Sequence, residues 1–380
     1  MIFPYQSSKP EIHLFIIWHN GYEFKDLILK DLEMRFKIRA VVNIEWDKEL
    51  FEVNLKRFYG QNLPKNSNKA RICGNGPFTA IIVEDRAPVY SLRKATSGVQ
   101  TVNINIFDIK DKYRLLANKN ILHATNSEKE SEHDITLLFG KAFHDINIDS
   151  LCSNTYRENI AGSNGWKDIN ELLYTLNHTC KYVILRNFEK FPSDIQLGEH
   201  SDIDLLCESY ISTKLILNGK ETSLFSQRVQ NKVKVADSFV NVDIRHIGDN
   251  YYDRAWEKDI LERRICCRSL FYSPSKEDYL YSLMYHALIQ KGVVSNDYIS
   301  RVKDLCNDIG LKTIDLKNQN SALQSLIDFM RSKNYSFIEP NDFSVGYNYR
   351  KINANAGLYR RFRFLLSDMK HLVINKEVKK

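Results

Sequence analysis

The stretch Ile12-His-Leu-Phe-Ile-Ile-Trp18 decides the fold class of the N-terminal half of the chain. It is a dense apolar run followed by Asn20-Gly21, and this combination predicts a buried strand that ends in a turn. The residues that follow continue the pattern: a helix is expected over 24–36, a strand over 38–44, a second helix over 47–59 and a strand over 78–83. This order of strands and helices indicates an α+β architecture.

The pattern weakens after the third strand. Residues 91–120 lack clean periodicity, so we expect a long loop there. A short strand is predicted at residues 121–122, and Ser127 with Glu130 predicts a capping box for a helix that reaches Phe139. Farther on, the sequence predicts a helix near residue 170, strands near 183 and 205, two strands between 233 and 247, and a mostly helical end from residue 276. Ser275 and Asp278 predict the cap of the first helix of that end.

Length and composition indicate two domains. A chain of 380 residues is longer than one compact core usually grows. Since 43% of its residues are hydrophobic, each half can bury a core of its own. We expect a first domain at 1–145, a polar linker at 146–165, a second domain with a helical extension at 166–345, and a basic tail at 346–380. The seven cysteines have no metal-ligand spacing and indicate free thiols in a reducing compartment.

Charge and hydropathy narrow the function classes. No run approaches the length of a membrane span and the start lacks a signal-peptide pattern, so a cytoplasmic protein is expected. The net charge of +7 fits a site for polyphosphate or for nucleic acid, since either polyanion is attracted by excess lysine and arginine.

The first candidate site is centred on His123. The segment Asn120-Ile-Leu-His-Ala-Thr-Asn-Ser127 places an imidazole at the end of a strand and before a capped helix, with Asp134 two turns into that helix. An imidazole held there, with one ring nitrogen oriented by a hydrogen bond, can attack phosphorus. A histidine beside a strand is also a common structural residue.

Residues 11–140 resemble nucleoside diphosphate kinases. The resemblance rests on Phe15-Ile-Ile17 with Asn20-Gly21, on Gly76-Pro77 with Ala80-Ile-Ile-Val-Glu84, and on the segment around His123. It implies a ferredoxin-like βαββαβ fold, in which His123 carries the transferred phosphoryl group. It also implies a homo-oligomer formed through this domain.

The same resemblance assigns roles to six further residues. Asp134 would orient the histidine. The nucleotide-binding positions it implies are Tyr59, Arg93, Lys110, Asn120 and Thr125.

The chain departs from the family pattern at several of these positions. Trp18-His19-Asn20-Gly21 stands where the family has a turn with a phosphate-binding lysine, Lys110 replaces an arginine, and Val99 replaces a threonine. No aromatic residue aligns at the base-stacking position, where the chain has Gln61-Asn62-Leu63-Pro64.

The second candidate site combines three aspartates. In a strand, Asp202 and Asp204 point to one side while Ile203 and Leu205 enter the core. A neighbouring strand would bring Asp243 alongside. No lysine or arginine near them in sequence except Arg245 would neutralise them, so we expect Mg²⁺ or Mn²⁺ to bind between the carboxylates. Solvent exposure on an edge strand is the alternative.

Residues 180–300 resemble the nucleotidyltransferase superfamily with the polymerase-β-like fold. The match rests on Tyr182-Val-Ile-Leu-Arg-Asn187, Ser201-Asp-Ile-Asp-Leu205 and Val242-Asp-Ile-Arg245. It implies a mixed-sheet domain with a helical end, in which the three aspartates hold the metal. Lys291 is a candidate phosphate contact, whereas His286 is expected to be a packed, hydrogen-bonded histidine.

These observations favour a bifunctional enzyme that uses a nucleoside triphosphate (NTP) and Mg²⁺. It would transfer a phosphoryl or nucleotidyl group to a small hydroxyl- or phosphate-bearing acceptor, for example in activated-sugar or surface-polysaccharide metabolism. One alternative is a nucleotide-binding regulatory or scaffolding protein with a degenerate kinase-like domain. Another is an RNA-modifying transferase that uses the basic tail, although nucleic acid is not the expected partner.

Overall fold

A computed structural model of the chain describes residues 4–61, 68–95, 98–152, 154–189, 191, 202–222, 230–354, 356–358 and 360–361. The chain divides into two compact units. The first unit comprises Met1–Cys180, Ile211–Gly219 and Val233–Ser238, and the second comprises Lys181–Tyr210, Lys220–Lys232 and Phe239–Lys380. Strands and helices are mixed in both units, which confirms the predicted α+β class.

The strands in chain order are β1 (Tyr5–Gln6), β2 (Glu11–Ile17), β3 (Lys37–Ile44), β4 (Phe78–Asp85), β5 (Val89–Ala95), β6 (Gly98–Asn103), β7 (Leu122–Ala124), β8 (Tyr182–Ile184), β9 (Asp202–Cys207), β10 (Lys220–Glu221), β11 (Gln230–Val235), β12 (Ser238–His246), β13 (Ile265–Cys267) and β14 (Phe271–Ser273). The helices are α1 (Lys25–Arg35), α2 (Phe51–Phe58), α3 (Asn68–Cys73), α4 (Ile104–Ala117), α5 (Glu128–Phe139), α6 (Ile148–Cys152), α7 (Ile169–Thr179), α8 (Tyr210–Leu217), α9 (Arg254–Glu262), α10 (Lys276–Tyr285), α11 (Asn296–Asp308) and α12 (Gln319–Ser332).

The first unit is built on an antiparallel sheet in the order β3-β4-β2-β7. Strand β2, the apolar run that opens the chain, lies inside the sheet, where Phe15 pairs with Ile81 on one side and Ala124 on the other. Alternate residues of a strand point to opposite faces. Leu14 and Ile16 therefore enter one core, and Phe15 enters the other. Burial on both faces explains why the run is apolar except for the buried His13.

The predicted loop over residues 91–120 is wrong. The structure has the antiparallel pair β5 and β6 there, followed by helix α4. Asn103 caps α4 by accepting a hydrogen bond from the Asn105 backbone N–H. The first residues of α4, Ile104-Asn-Ile-Phe-Asp-Ile109, alternate partly as a strand would, and this ambiguity hides the helical period.

The predicted linker at 146–165 lies within the first unit. Tyr156 forms a bridge to Ile44 of β3. The buried guanidinium of Arg57 donates to the Ser163 hydroxyl at 2.8 Å and to the Ala161 carbonyl at 2.5 Å. These hydrogen bonds tie the segment to helix α2.

In the second unit, β9 lies between β8, to which it is antiparallel, and β12, to which it is parallel. Side chains of α9 to α12 form its hydrophobic core, with Trp256 fully buried. Ser275 caps α10 by accepting from the Asp278 backbone N–H, as predicted.

Several predictions fall outside the described residues. They concern the base-stacking stretch at 62–64, Ser201 at the head of the aspartate motif, and the basic tail from residue 362. Within the described part of the chain, no helix has the length and apolar character that crossing a membrane requires.

Candidate functional site

His123 and Asp134 meet inside the first unit. Strand β7 carries His123, and helix α5, which begins after the Ser127 cap, carries Asp134 about two turns later. The His123 Nε2 atom lies 2.7 Å from Asp134 Oδ2, and both side chains are more than nine-tenths buried. The predicted pairing of the histidine with this acid is present in the structure.

Asp134 binds a second histidine as well. Its Oδ1 lies 2.9 Å from Nδ1 of His133. Burial by itself would raise the pKa of Asp134, but the hydrogen bonds to His123 and His133 outweigh burial and hold this pKa below its usual value. The carboxylate is therefore ionised and accepts a hydrogen bond from an N–H group of each ring. Because Nε2 of His123 donates to Asp134, its lone pair lies on Nδ1, for which no partner occurs among the described residues.

His123 lines a cleft of about 690 Å³ that is rich in cations. The basic side chains in its wall are Lys69, Lys94, Lys110, Arg114 and Lys119, and the acidic ones are Asp111 and Glu130. Five cations against two acids make the cleft attractive to an anion. Several cations around one cavity are typical of polyphosphate sites.

Two of these lysines have altered acidity. Burial lowers the pKa of Lys110 to about 8, and it also lowers the pKa of Lys69 to about 8. The Lys110 ammonium donates to the Ala124 carbonyl at 2.9 Å and to the side-chain oxygen of Asn126. The Lys69 ammonium lies 3.0 Å from the centroid of the Tyr59 ring.

Tyr59 and Asn120, two of the predicted nucleotide contacts, line the same cleft. The Tyr59 ring packs edge-on against the His123 ring, with centroids 5.4 Å apart. Its hydroxyl accepts a hydrogen bond from the Trp18 indole at 3.2 Å. Trp18 itself is buried in the core and does not line the cleft.

Arg93 and Thr125, the other two predicted contacts of this group, do not line the cleft around His123. The Arg93 guanidinium binds both carboxylate oxygens of Asp108, at 3.0 and 3.1 Å. Thr125 is fully buried, and its Oγ1 contacts Nδ1 of His13 at 3.1 Å and accepts from the Leu14 backbone N–H. Both side chains are therefore engaged by the protein itself.

Several residues of the cleft were not predicted from the sequence as site residues, namely Lys69, Lys94, Phe107, Arg114, Lys119 and Glu130. Lys110 and Arg114 are four residues apart on α4 and so share one face of the helix. That spacing would have revealed the pair if the helix had been predicted.

The three aspartates of the second unit lie on adjacent parallel strands. The register places Asp243 directly across from Asp204, and Asn241 across from Asp202. The prediction that a neighbouring strand brings Asp243 alongside is confirmed. Burial, and then the charge of Asp204, raise the pKa of Asp243 to about 6. Its Oδ1 is buried without a hydrogen-bond partner.

Arg245 is the only cation close to these acids in sequence, but the fold adds a second cation from farther away in the chain. Arg186 binds both oxygens of Asp204, at 2.8 and 3.0 Å, in a nearly buried ion pair. Arg186 follows β8, which pairs with β9, so the fold supplies a cation that lies 18 residues away in sequence. Asp204 is therefore partly satisfied without a metal ion.

Among the described residues, His123, Glu130 and Asp134 form a group of three potential metal ligands, whose ligand atoms lie within 4.8 Å of one another. The three aspartates of the second unit do not form such a group.

Two other predicted residues belong to the second unit. Lys291 is exposed at the end of the π-helical turn His286–Lys291, and no contact with the three aspartates is found for it in the described part of the chain. His286 is buried, with Nδ1 2.7 Å from the Gln290 side-chain oxygen, as predicted for a packed histidine.

Solved structures similar to part of this chain include a nucleoside diphosphate kinase. No family model matches the chain, and neither does any curated protein. A solved structure of Aquifex aeolicus nucleoside diphosphate kinase is similar at 16% identity and a TM-score of 0.23, over 33% of this chain and 92% of that one. A TM-score this low carries no argument, so the conclusions below rest on the site itself.

Proposed function

We propose that the first unit accepts a phosphoryl group from a nucleoside triphosphate on Nδ1 of His123. The observation that carries this proposal is the hydrogen bond between Nε2 of His123 and the ionised, buried Asp134, at the wall of a cation-lined cleft. That hydrogen bond leaves the other ring nitrogen with a lone pair and fixes the orientation of the ring.

The transfer needs no reactant besides the nucleoside triphosphate, His123 and the acceptor. The Nδ1 lone pair attacks the γ-phosphorus, the bond from that phosphorus to the bridging oxygen breaks, and the nucleoside diphosphate leaves with the electron pair. The ring becomes positively charged, and the Asp134 carboxylate at 2.7 Å stabilises this charge. An oxygen of a small acceptor bearing a hydroxyl or phosphate group then attacks this phosphorus, and the bond from phosphorus to Nδ1 breaks and returns its electron pair to the ring. A proton lost by a hydroxyl acceptor passes to solvent.

The wall of the cleft supports a nucleotide as the donor. Lys69, Lys94 and Arg114 supply charge for a triphosphate with its Mg²⁺ or Mn²⁺. Phe107 and Tyr59 supply aromatic surface. The Lys69 ammonium above the Tyr59 ring supplies a cation from helix α3. In the pattern of nucleoside diphosphate kinases, the phosphate-binding lysine instead follows the first strand. A ferredoxin-like fold for the unit is part of the proposal, supported by the strand order β3-β4-β2-β7.

The direct test is labelling with γ-³²P nucleotides. The purified protein should gain an acid-labile, base-stable label with at least one NTP, and His123→Ala should gain none. His178→Gln is the matched control, since His178 also pairs with an acid, Glu132, at 2.7 Å but does not line the cleft. Equal labelling of wild type and His123→Ala would show that another residue accepts the phosphoryl group and would overturn the assignment of His123. No labelling with any NTP would leave nucleotide binding without transfer as the function.

A second candidate function is nucleotidyl transfer by the second unit. The register of Asp243 across from Asp204 favours it, together with the unpartnered Oδ1 of Asp243. A divalent cation bound there would also need Asp202, and Lys291 would contact phosphate. If this is correct, Mg²⁺ with α-labelled ATP or CTP should move label to a small acceptor, and Asp202→Asn and Asp243→Asn should each abolish that transfer. Transfer that survives both substitutions would remove this candidate.

A further inference from the structure

The wall of the cleft around His123 contains ligands for a metal ion other than magnesium. Glu130 and Asp134 are four residues apart on α5 and so lie on one face of the helix, toward the His123 ring of β7. One imidazole and two carboxylates form a donor set that Zn²⁺ uses in proteins. Mg²⁺ prefers oxygen ligands alone, so a site with an imidazole discriminates against it.

We propose that His123, Glu130 and Asp134 bind a divalent transition metal ion of the zinc class, and that the bound ion switches His123 off as a phosphoryl acceptor. The second half of this inference rests on the proposed function, whereas the first half is independent of it.

The geometry needs only a small adjustment. The three ligand atoms lie within 4.8 Å of one another, and Nε2 of His123 is 2.7 Å from Asp134 Oδ2. Ligand atoms around a tetrahedral zinc ion with bonds of about 2.0–2.2 Å are roughly 3.3 Å apart. The Nε2 and Oδ2 atoms therefore have to separate by a fraction of an ångström, and Glu130 has to close in.

The surroundings of the three ligands fit a metal with an open position. His133 contacts the other oxygen of Asp134 at 2.9 Å, which holds the carboxylate in place. Glu130 and His123 line the cleft, so an ion can enter and keep a water ligand on the cleft side. Lys69, Lys110 and Arg114 are nearby cations that oppose binding. The Lys110 ammonium donates to Ala124 and Asn126, and Nε of Arg114 donates to the Leu122 carbonyl, rather than to the acids.

Metal binding changes the tautomer of the imidazole. In the metal-free ring the proton is on Nε2, where it is donated to Asp134, and the lone pair is on Nδ1. An ion on Nε2 needs the lone pair of that nitrogen, so the proton of the neutral ring moves to Nδ1. A protonated Nδ1 has no lone pair for phosphorus. The ion would thus block transfer without entering the triphosphate subsite.

The first experiment measures binding without nucleotide. Tag-free protein is titrated with ZnCl₂ by calorimetry, and with CoCl₂ by visible absorption, whose intensity reports low coordination number. We expect one site, weakened at least tenfold by each of His123→Ala, Glu130→Gln and Asp134→Asn. His178→Gln, which removes the pair with Glu132, should bind as wild type does. Equal binding by all variants overturns the site. So does the lack of binding by wild type with a dissociation constant below about 1 mM.

The second experiment reads the switch independently of activity. Long-range ¹H–¹⁵N spectra of histidine-labelled protein should show the His123 proton on Nε2 without metal and on Nδ1 with one equivalent of Zn²⁺. A zinc-bound ring that keeps its proton on Nε2 overturns the switch. In labelling assays the same equivalent of Zn²⁺ should suppress phosphorylation of His123, and a chelator should restore it. Absence of label in zinc-free protein contradicts the proposed phosphoryl transfer and leaves the metal site standing on the binding and spectroscopic results.

Discussion

Asp134 accepts hydrogen bonds from two histidines at once, and the one from Nε2 of His123 is 2.7 Å long. The two residues are 11 positions apart, on a strand and on the helix that follows it. Their contact gives the first unit a histidine with a fixed tautomer at the wall of a basic cleft.

Asp134→Asn should slow phosphorylation of His123 by about 10²-fold, because the amide cannot stabilise the positive charge that develops on the ring. The measurement is the initial rate of ³²P incorporation at saturating NTP. Glu132→Gln, two residues earlier on the same helix, is the control and should label at the wild-type rate. A similar rate in Asp134→Asn and wild type would mean that the carboxylate only packs against the ring.

Lys94→Ala and Arg114→Ala should each weaken NTP binding about tenfold or more, since a charge-assisted hydrogen bond contributes about 1.5–3 kcal/mol. Arg93→Ala should leave affinity unchanged, because Arg93 is bound to Asp108 and does not line the cleft. Calorimetric titration with a non-hydrolysable NTP measures both effects. A strong loss in Arg93→Ala alone would show that Arg93 leaves Asp108 when nucleotide binds.

Affinity for NTP should fall as pH rises from 7 to 9. Burial lowers the pKa of Lys69 and of Lys110 to about 8, so both lysines are charged at pH 7 and lose their protons across this interval. Each lost charge should weaken binding about tenfold. Lys69→Arg and Lys110→Arg should flatten the profile, because arginine keeps its charge. An unchanged wild-type profile would indicate that neither lysine contacts the phosphates.

Arg186→Leu should destabilise the second unit by about 3–5 kcal/mol, because it leaves the buried Asp204 carboxylate without its cation, next to Asp243. Urea unfolding followed by circular dichroism measures the change. The double variant Arg186→Leu with Asp204→Asn should recover most of the loss. If the single variant is as stable as wild type, Asp204 has another source of compensation.

Acid should destabilise the second unit through His286. Burial, with the charge of Arg186, lowers its pKa from 6.5 to about 3. Above pH 6.5 the His286 imidazole is neutral in both the folded and the unfolded protein. Below pH 6.5 it gains a proton in the unfolded protein but stays neutral in the folded protein until the pH approaches 3. Stability should therefore fall by about 1.4 kcal/mol per pH unit as pH drops from 6.5 toward 4. In His286→Gln, the free energy of unfolding measured with urea should fall less steeply with decreasing pH than in wild type. The same slope in both proteins would contradict the role of His286.

The sequence alone determined the elements whose pattern is local. The apolar run at Ile12–Trp18 indicated a strand buried on both faces, and the cap residues Ser127 and Ser275 marked the starts of α5 and α10. The aspartates of β9 were placed on one face of a strand by period alone. These inferences held because helix caps and strand alternation depend on residues only a few positions apart.

The tertiary structure decided which of these residues act together. It brought Lys69, Lys94 and Arg114 from three different elements to His123, held Arg93 on Asp108, and turned Thr125 toward His13. Each of these outcomes depends on contacts between residues far apart in the chain, which periodicity does not encode. The same holds for Arg186 beside Asp204. Its cation reaches the carboxylate because β8 pairs with β9, and pairing between strands is set by packing of the whole sheet rather than by either segment.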